Sequence, residues 1–335
     1  MSEIPVDQRR DQETLNRLKA IAESIFNRYG VDFTAAKRAG GWSNATWLGG
    51  GLALRLSVQQ GKQSILREAQ LAALLPLEVG YPPILETGVT DGYEWSLSKE
   101  VPGRNLGKIW PELDWDQRII ALRQLWKKVE AVHSVDVAAA TPLARKGSMF
   151  YAANPEDARA GLTRLLRQKA ISTHQVEVLE KALDRFWKAL AKATLVLNHG
   201  DFTTENALWY EGQVVSLLDF EYAVIAPDEL DLNELVKSAF APPEGIDPLP
   251  DPGKKGLERM RQLVVELAIP MLSHPGSKDL LLGYAILLET WALEDRLVYP
   301  IEDSSVDQEP LYQILGSLAD EDCGYLAPIL AVVND

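Results

Sequence analysis

The sequence predicts an α+β protein of two lobes: a small lobe built on an antiparallel sheet, then a larger, mainly helical lobe. Three observations support this prediction. Short apolar strand patterns separated by glycine-rich turns occur within residues 40–99, whereas helical periodicity dominates after about residue 115. Pro102 and Gly103 interrupt the chain between these two patterns. We therefore expect a first lobe of residues 1–102 and a second of residues 103–335.

The small lobe is expected to begin with a helix and continue as a sheet. Residues 12–29 repeat apolar side chains at helical spacing, and Gly30 follows as a helix stop. The glycine-rich stretch of residues 40–56 predicts two or three short strands. Residues 65–75 return to helical spacing, and residues 93–99 predict a further strand.

The larger lobe is predicted to be helical, with one exception. The predicted helices cover residues 116–135, 155–170, 174–192, 229–240, 255–272, 278–297 and 309–331. The exception is an apolar strand over residues 194–198, followed by a hairpin.

That hairpin pairs residues 207–210 with residues 214–218 across a Glu-Gly turn. A hairpin returns the chain to its starting point. We therefore expect Asn206 and Asp219, which flank it, to lie close together.

Composition limits the classes of protein to consider. A hydrophobic content of 46% over 335 residues suffices for a sizeable core. No apolar run reaches the roughly 20 residues that a membrane-spanning helix needs, and the N-terminal residues lack a signal-peptide pattern. Cys323 is the only cysteine, which excludes an intramolecular disulfide and a cysteine-based zinc site. We expect a cytoplasmic protein without a membrane partner.

The charge distribution bears on the partner. Residues 201–335 carry 26 acidic and 7 basic side chains, and the whole chain has a net charge of −14. A nucleic-acid-binding protein needs the opposite sign, so no nucleic-acid partner is expected. An acidic half suits recruitment of a cationic small molecule, although each single acid could equally well solvate a helix surface. The oligomeric state is left open.

The chemistry is indicated by three oxygen-bearing side chains. Asp201 and Asn206 lie in the segment His-Gly-Asp-Phe-Thr-Thr-Glu-Asn that follows the predicted strand, and Asp219 ends the hairpin. Phosphoryl transfer needs one carboxylate to orient the attacking hydroxyl, and further oxygen ligands to hold Mg²⁺ against the phosphates. The alternatives are a turn-forming aspartate at Asp201 and a strand cap at Asn206. His199 is expected to be structural, bonded to the backbone of the loop.

These residues resemble the aminoglycoside phosphotransferase and choline kinase family, the small-molecule branch of the protein-kinase-like fold. The family pattern His-Gly-Asp-x-x-x-x-Asn, followed by an apolar strand ending in Asp, is present over residues 199–206 and 217–221. The resemblance implies that Asp201 is the catalytic base or positions the hydroxyl, and that Asn206 and Asp219 bind magnesium. Asp231 would then anchor the loop from beneath, and an N-cap role explains it equally well.

The resemblance also implies a nucleotide site in the small lobe. The turn Gly-Trp-Ser-Asn-Ala-Thr, with Ser43 and Asn44, is similar to the family's turn over the phosphates. Arg55 on a strand and Glu68 on the next helix look like the pair that positions the α- and β-phosphates in kinase-like folds. An ordinary surface salt bridge is the alternative for this pair.

The same alignment implies that residues 95–103 form the strand and hinge against which the base of ATP or GTP lies. The backbones of Lys99 and Val101 would bind the base there.

Acceptor recognition is expected in the helices that follow Asp231. Glu289, Glu294 and Asp295 interrupt an otherwise apolar helical segment and could bind ammonium groups. We therefore expect a Mg²⁺-dependent enzyme that moves the γ-phosphoryl of ATP or GTP to a hydroxyl of a small molecule. An amino-bearing acceptor, such as an aminoglycoside-like antibiotic or an amino sugar, is slightly favoured. The alternatives are a metabolic kinase of choline, homoserine or a sugar, and a nucleotide-binding scaffold without catalysis.

Overall fold

The computed structural model describes residues 12–39, 44–241, 251–298, 309–321 and 323–332, without the side chains of residues 251–253 and 309–312. Within these residues the first lobe contains two α-helices and five strands: α1 (Gln12–Arg28), β1 (Lys37–Ala39), β2 (Asn44–Gly49), β3 (Leu52–Ser57), α2 (Ile65–Ala72), β4 (Ile84–Thr90) and β5 (Tyr93–Lys99). The strands form one antiparallel sheet in the order β1-β2-β3-β5-β4.

The small lobe has its own apolar core. One side of α1, including Leu18 and Phe26, packs with Leu54 and Leu56 of β3 and with Trp95 of β5. The helical spacing in α1 places these side chains on one stripe, and the alternation in β3 turns every second residue toward that stripe.

The second lobe contains ten helices and five short strands within the described residues. They are β6 (Arg104–Asn105), α3 (Leu106–Ile109), α4 (Trp115–His133), α5 (Val137–Ala140), α6 (Pro155–Arg167), α7 (Thr173–Leu190), β7 (Val196–Asn198), β8 (Ala207–Tyr210), β9 (Gln213–Leu217), β10 (Val224–Ala226), α8 (Glu229–Phe240), α9 (Asp251–Ala268), α10 (Ser277–Val298), α11 (Glu309–Ser317) and α12 (Ala327–Leu330).

Helix α10 is the centre of the larger core. It packs against α6, α7, α8 and α11, and every residue from Leu280 to Leu288 is buried. Gly283 allows the close approach of α7, because a Cβ there would lie 2.1 Å from the ring of Phe186. The core also takes in Leu71 of α2, so the two lobes share a packed boundary.

Two small sheets carry the loops of interest. Strands β7 and β10 pair antiparallel, and β6, β8 and β9 form a second sheet. The predicted hairpin is confirmed, with Ala207 opposite Leu217. Its register joins the flanking residues, because the backbone N–H of Leu218 donates to the carbonyl of Asn206 at 2.7 Å. Asn206 and Asp219 are therefore close neighbours, as expected.

Most predicted elements are present, and the differences include one wrong helix and several short elements that were not predicted. The single helix predicted over residues 309–331 is wrong: the chain turns between α11 and α12, where Cys323 and Gly324 adopt positive φ angles that no helix accommodates. Strand β4 was not predicted from the sequence. Every second side chain along it is exposed, and its pairing with β5 holds it in the sheet. No helix among the described residues is long and apolar enough to span a membrane.

Candidate active site

The loop that follows β7 depends on a glycine. Gly200 has a φ of +79°, in the left-handed region that side chains disfavour. A Cβ at this position would also lie 2.3 Å from the carbonyl oxygen of Tyr222. Glycine therefore lets the loop bend against the segment after Asp219, and that bend sets the position of Asp201.

Asp231 on α8 holds this loop from below. Its fully buried carboxylate accepts the backbone N–H groups of His199 at 2.8 Å and Gly200 at 3.0 Å, and it contacts His133 Nε2 at 3.1 Å. Burial acts to raise the pKa of Asp231, but the bond from His133, its charge and the backbone donors outweigh burial and lower the pKa. The carboxylate anchors the loop and does not cap its own helix.

His199 is also held by backbone groups. Its Nε2 lies 2.8 Å from the carbonyl oxygen of Leu218, which can only accept a hydrogen bond, so Nε2 carries the proton. Nδ1 then accepts the backbone N–H of Asp201 at 3.3 Å. The ring ties the loop to the end of the hairpin, which is the structural role expected for it.

Asp201 and Asn206 form a bonded pair. Asn206 Nδ2 donates to the backbone carbonyl of Asp201 at 2.9 Å and to its Oδ2 at 3.1 Å. Burial raises the pKa of Asp201, the charges of Asp219 and Glu221 add to the rise, and His199 and Asn206 oppose it. The donating end of the amide is thus committed to Asp201, and Asn206 Oδ1 accepts no hydrogen bond from the described residues.

Arg55 joins the two lobes at the site. Its Nη1 lies 2.7 Å from Glu68 Oε1, and its Nη2 lies 2.9 Å from Asp219 Oδ1. Burial acts to lower the pKa of Arg55, but the two carboxylates raise it well above its usual value. The contact expected between Arg55 and Glu68 is present, and the guanidinium bridges it to Asp219.

Glu68 is bound from three sides. Besides Arg55, its Oε1 accepts the Tyr81 hydroxyl at 2.9 Å and the backbone N–H of Phe220 at 3.0 Å. The carboxylate is almost fully buried. This buried bonding distinguishes the pair from an ordinary surface salt bridge, which is exposed on both sides.

The structure describes three of the four remaining residues predicted to contact nucleotide. Asn44 is buried at the start of β2, and Ser43 lies outside the described residues. The backbone N–H of Lys99 donates to the carbonyl of Pro83 at 3.0 Å, which leaves its carbonyl as the group for a base. The N–H of Val101 has no acceptor within the described part of the chain. Their contacts with nucleotide stay predictions.

The three acids predicted to bind the acceptor lie on α10. Glu289 is buried and pairs with Lys237 at 2.8 Å, and Glu294 makes a two-pronged ion pair with Arg164. Asp295 is partly exposed. Two of these acids thus already have cationic partners, and their role toward an acceptor stays a prediction.

Glu234 is a site residue that the sequence interpretation missed. It lies one helical turn after Asp231 on α8, and the Tyr151 hydroxyl donates to its Oε1 at 3.0 Å. Burial raises its pKa to about 7; Lys237 opposes the rise, and the charges of Asp201 and Asp231 add to it. The spacing of three residues from Asp231 is the sequence signal that could have pointed to it.

The comparison with protein families shows that this fold belongs to a phosphotransferase. Residues 34–268 match the phosphotransferase enzyme family. The match covers most of the chain, from before β1 to the end of α9. The chain therefore belongs to this family and is a small-molecule kinase, as its resemblance predicts.

Solved structures share the two-lobed architecture. The GDP complex of wild-type aminoglycoside 2'-phosphotransferase-IIIa aligns with a TM-score of 0.61 and 17% identity, over 91% of this chain and 99% of that chain. ADP-bound aminoglycoside phosphotransferase APH(2'')-Ib has a TM-score of 0.55 and 14% identity, over 92% and 98%. A choline/ethanolamine kinase family protein from Mesorhizobium loti has a TM-score of 0.53 and 16% identity, over 89% and 90%. No curated protein matches by sequence. At these identities the structures establish the kinase-like fold.

Proposed function

We propose that this kinase transfers the γ-phosphoryl of ATP or GTP to a hydroxyl of a small molecule, with Mg²⁺ bound to the phosphates. The observation that carries the proposal is the meeting of three oxygen-bearing side chains from two loops. Asp201 and Asn206 are bonded to each other, and the hairpin register brings Asp219 beside them. Phosphoryl transfer requires this combination of a hydroxyl-orienting carboxylate and oxygen ligands for a metal.

Asp201 is the residue that contacts the acceptor hydroxyl in this proposal. Its Oδ2 is held by Asn206, which leaves Oδ1 to accept a hydrogen bond from the hydroxyl. The carboxylate fixes the direction of the oxygen lone pair and accepts the proton as the bond to phosphorus forms. Its partly buried setting orients it, because the loop beneath is held by Asp231.

The residues proposed as metal ligands fit Mg²⁺. Asn206 offers an amide oxygen, because its nitrogen is used by Asp201, and Asp219 offers the carboxylate oxygen that Arg55 does not contact. Hard oxygen donors are the ligands that Mg²⁺ prefers. A bound Mg²⁺ would neutralise charge on the phosphates during transfer.

The proposed phosphate clamp is Arg55 with Glu68. The guanidinium stays cationic because two carboxylates contact it, and Glu68 holds it in place. It can therefore offer positive charge to the α- and β-phosphates without losing its orientation. The proposed lobe boundary at residues 102 and 103 leaves the hinge backbone of Lys99 and Val101 between the lobes, where it would bind the base. The turn at Ser43 and Asn44 would cover the phosphates.

The acceptor is proposed to carry an amino group. Support comes from the excess of acidic side chains in residues 201–335 and from Glu234, whose pKa the charge of Asp201 helps to raise. The solved aminoglycoside phosphotransferases are compatible with this choice, and the choline/ethanolamine kinase family protein keeps a small amino alcohol open. We further propose a cytoplasmic location, where nucleoside triphosphates are present.

The experiment combines a nucleotide-binding measurement with a screen. ADP and GDP release is followed for aminoglycosides, amino sugars, amino alcohols and neutral sugars with the wild type, Asp201→Ala and Asp116→Ala. Asp116 forms a surface ion pair with Arg259, so its variant is the matched control. We expect Asp201→Ala to bind nucleotide but to lose about 10²-fold or more in turnover, the scale of proton-transfer catalysis, with the control unchanged.

Unchanged turnover in Asp201→Ala would contradict the role of Asp201. A response to neutral acceptors alone would contradict the amino-group proposal. Nucleotide binding without turnover of any acceptor would favour the scaffold alternative.

A further inference from the structure

A carboxylate outside the catalytic site is fully buried. Glu229 is the first residue of α8 and is 0% exposed. Its close polar neighbours within the described residues are the side chains of Asp228 and His274. A buried carboxylate in this state is costly unless a proton or a cation accompanies it.

The polar group that faces Glu229 is an imidazole. His274, in the turn before α10, places Nε2 at 2.8 Å from Glu229 Oε1. Its other nitrogen, Nδ1, lies 3.4 Å from the carbonyl oxygen of Pro275, which can only accept. When Nδ1 donates to that carbonyl, Nε2 is the ring atom that faces the carboxylate and can share a proton or a metal ion with it.

Asp228 adds a second carboxylate at the same point. The ligand atoms of Asp228, Glu229 and His274 are all within 4.8 Å of one another. Two carboxylates and one imidazole form a donor set that suits first-row divalent transition ions. The carbonyl behind the imidazole is the outer partner that a metal-binding histidine commonly has.

We propose that Asp228, Glu229 and His274 bind a divalent transition-metal ion of the Zn²⁺ type, separate from the magnesium site of the catalytic loop. The imidazole distinguishes the two sites, because Mg²⁺ prefers oxygen ligands alone. His274 is 44% exposed on its side chain, so the ion can enter from solvent and keep water as a further ligand.

The site connects two parts of the larger lobe. His274 precedes α10, and the two acids begin α8, the helix whose Asp231 holds the catalytic loop. An ion bound here would tie the turn to the first turn of α8. Metal binding should therefore stabilise the folded protein without contributing to phosphoryl transfer.

The test uses the full-length, untagged protein, stripped of metal with EDTA and then freed of EDTA. Zn²⁺ is titrated by calorimetry in excess Mg²⁺ without nucleotide, and Co²⁺ is titrated while its visible absorption is recorded. The variants are His274→Ala, the control His174→Ala, whose histidine is exposed on α7, and Asp219→Asn, which removes the negative charge of a proposed magnesium ligand.

We expect one Zn²⁺ per chain in the wild type, in His174→Ala and in Asp219→Asn, with affinity at least tenfold weaker in His274→Ala. Zn²⁺ should raise the Tm of the wild type and leave that of His274→Ala unchanged. Comparing the Tm of His274→Ala with that of the wild type, both in EDTA, shows whether the variant folds. If it does not fold, Glu229→Gln is the second variant in which a loss of Zn²⁺ affinity is expected.

Absence of a Zn²⁺ equivalent in the folded wild type would overturn the proposal and assign a proton to the space between Glu229 and His274. Equal affinity in wild type and in both the His274→Ala and Glu229→Gln variants would also overturn it. A loss of affinity in Asp219→Asn alone would place the ion in the catalytic site. The outcome is independent of the proposed function, because no phosphoryl transfer is measured.

Discussion

Replacing Asp231 by alanine should be among the most damaging single changes in this chain. The carboxylate is fully buried and accepts the N–H groups of His199 and Gly200 while contacting His133. Alanine would leave two buried backbone donors without an acceptor, and each unsatisfied group costs about 1–3 kcal/mol. Relief from burying a charge offsets part of this loss. We expect a net loss of about 3–5 kcal/mol from the free energy of unfolding.

Urea unfolding followed by tryptophan fluorescence measures this loss, since the chain has nine Trp residues. The matched control is Asp116→Ala, in which the lost partner is an exposed arginine and the expected change is below about 1 kcal/mol. Asp231→Asn keeps one acceptor oxygen but turns an amide N–H₂ toward a donor. Its loss should therefore fall between those of the alanine variant and the control.

The catalytic consequence follows from the position of the loop. If Asp231 holds the backbone at His199 and Gly200, the folded molecules of Asp231→Ala should still bind nucleotide. Turnover should fall by more than the fraction of folded protein does. A change in unfolding free energy below about 1 kcal/mol in Asp231→Ala would refute the reasoning, because two orphaned buried donors cannot cost so little.

Three further predictions concern the same site. Burial raises the pKa of Glu234 to about 7 from an ordinary value near 4.5, so its ionisation opposes folding and the wild type loses stability as pH rises between these values. Glu234→Gln should remove this loss. Its free energy of unfolding in urea should exceed that of the wild type by up to about 3 kcal/mol at pH 8 and differ little at pH 4.5. Parallel pH profiles of the two proteins would contradict this. Gly200→Ala should lower the free energy of unfolding by more than about 2 kcal/mol, because its Cβ would lie 2.3 Å from the Tyr222 carbonyl oxygen. Gly212 has a similar φ and no atom within 4 Å of such a Cβ, so Gly212→Ala should lower it by about 1 kcal/mol. Equal losses would show that the contact is unimportant. Arg55→Lys should weaken ATP or GTP binding at least about tenfold, because an ammonium cannot bridge two carboxylates as the guanidinium does; an unchanged dissociation constant would remove Arg55 from the phosphate clamp.

Elements that neighbouring residues determine could be predicted from the sequence, whereas elements that depend on distant partners could not. The hairpin that joins Asn206 to Asp219 was predicted because its two-residue turn signals a chain reversal, although a bulge between Leu208 and Trp209 shifts the register beyond the turn. Strand β4 was missed because it depends on pairing with β5 rather than on a pattern of its own. The helix predicted over residues 309–331 was wrong because two positive φ angles, at Cys323 and Gly324, interrupt it.

Local spacing alone determined that this protein has two lobes and a kinase-like loop, because periodicity and motif spacing report short-range geometry. Tertiary structure decided which charges meet. Arg55 and Asp219 are 164 positions apart and contact only when both lobes are folded. The same packing isolates Glu229 against His274 and raises the pKa of Glu234. Burial and long-range contact set such energies, and neither is a property of any short stretch of sequence.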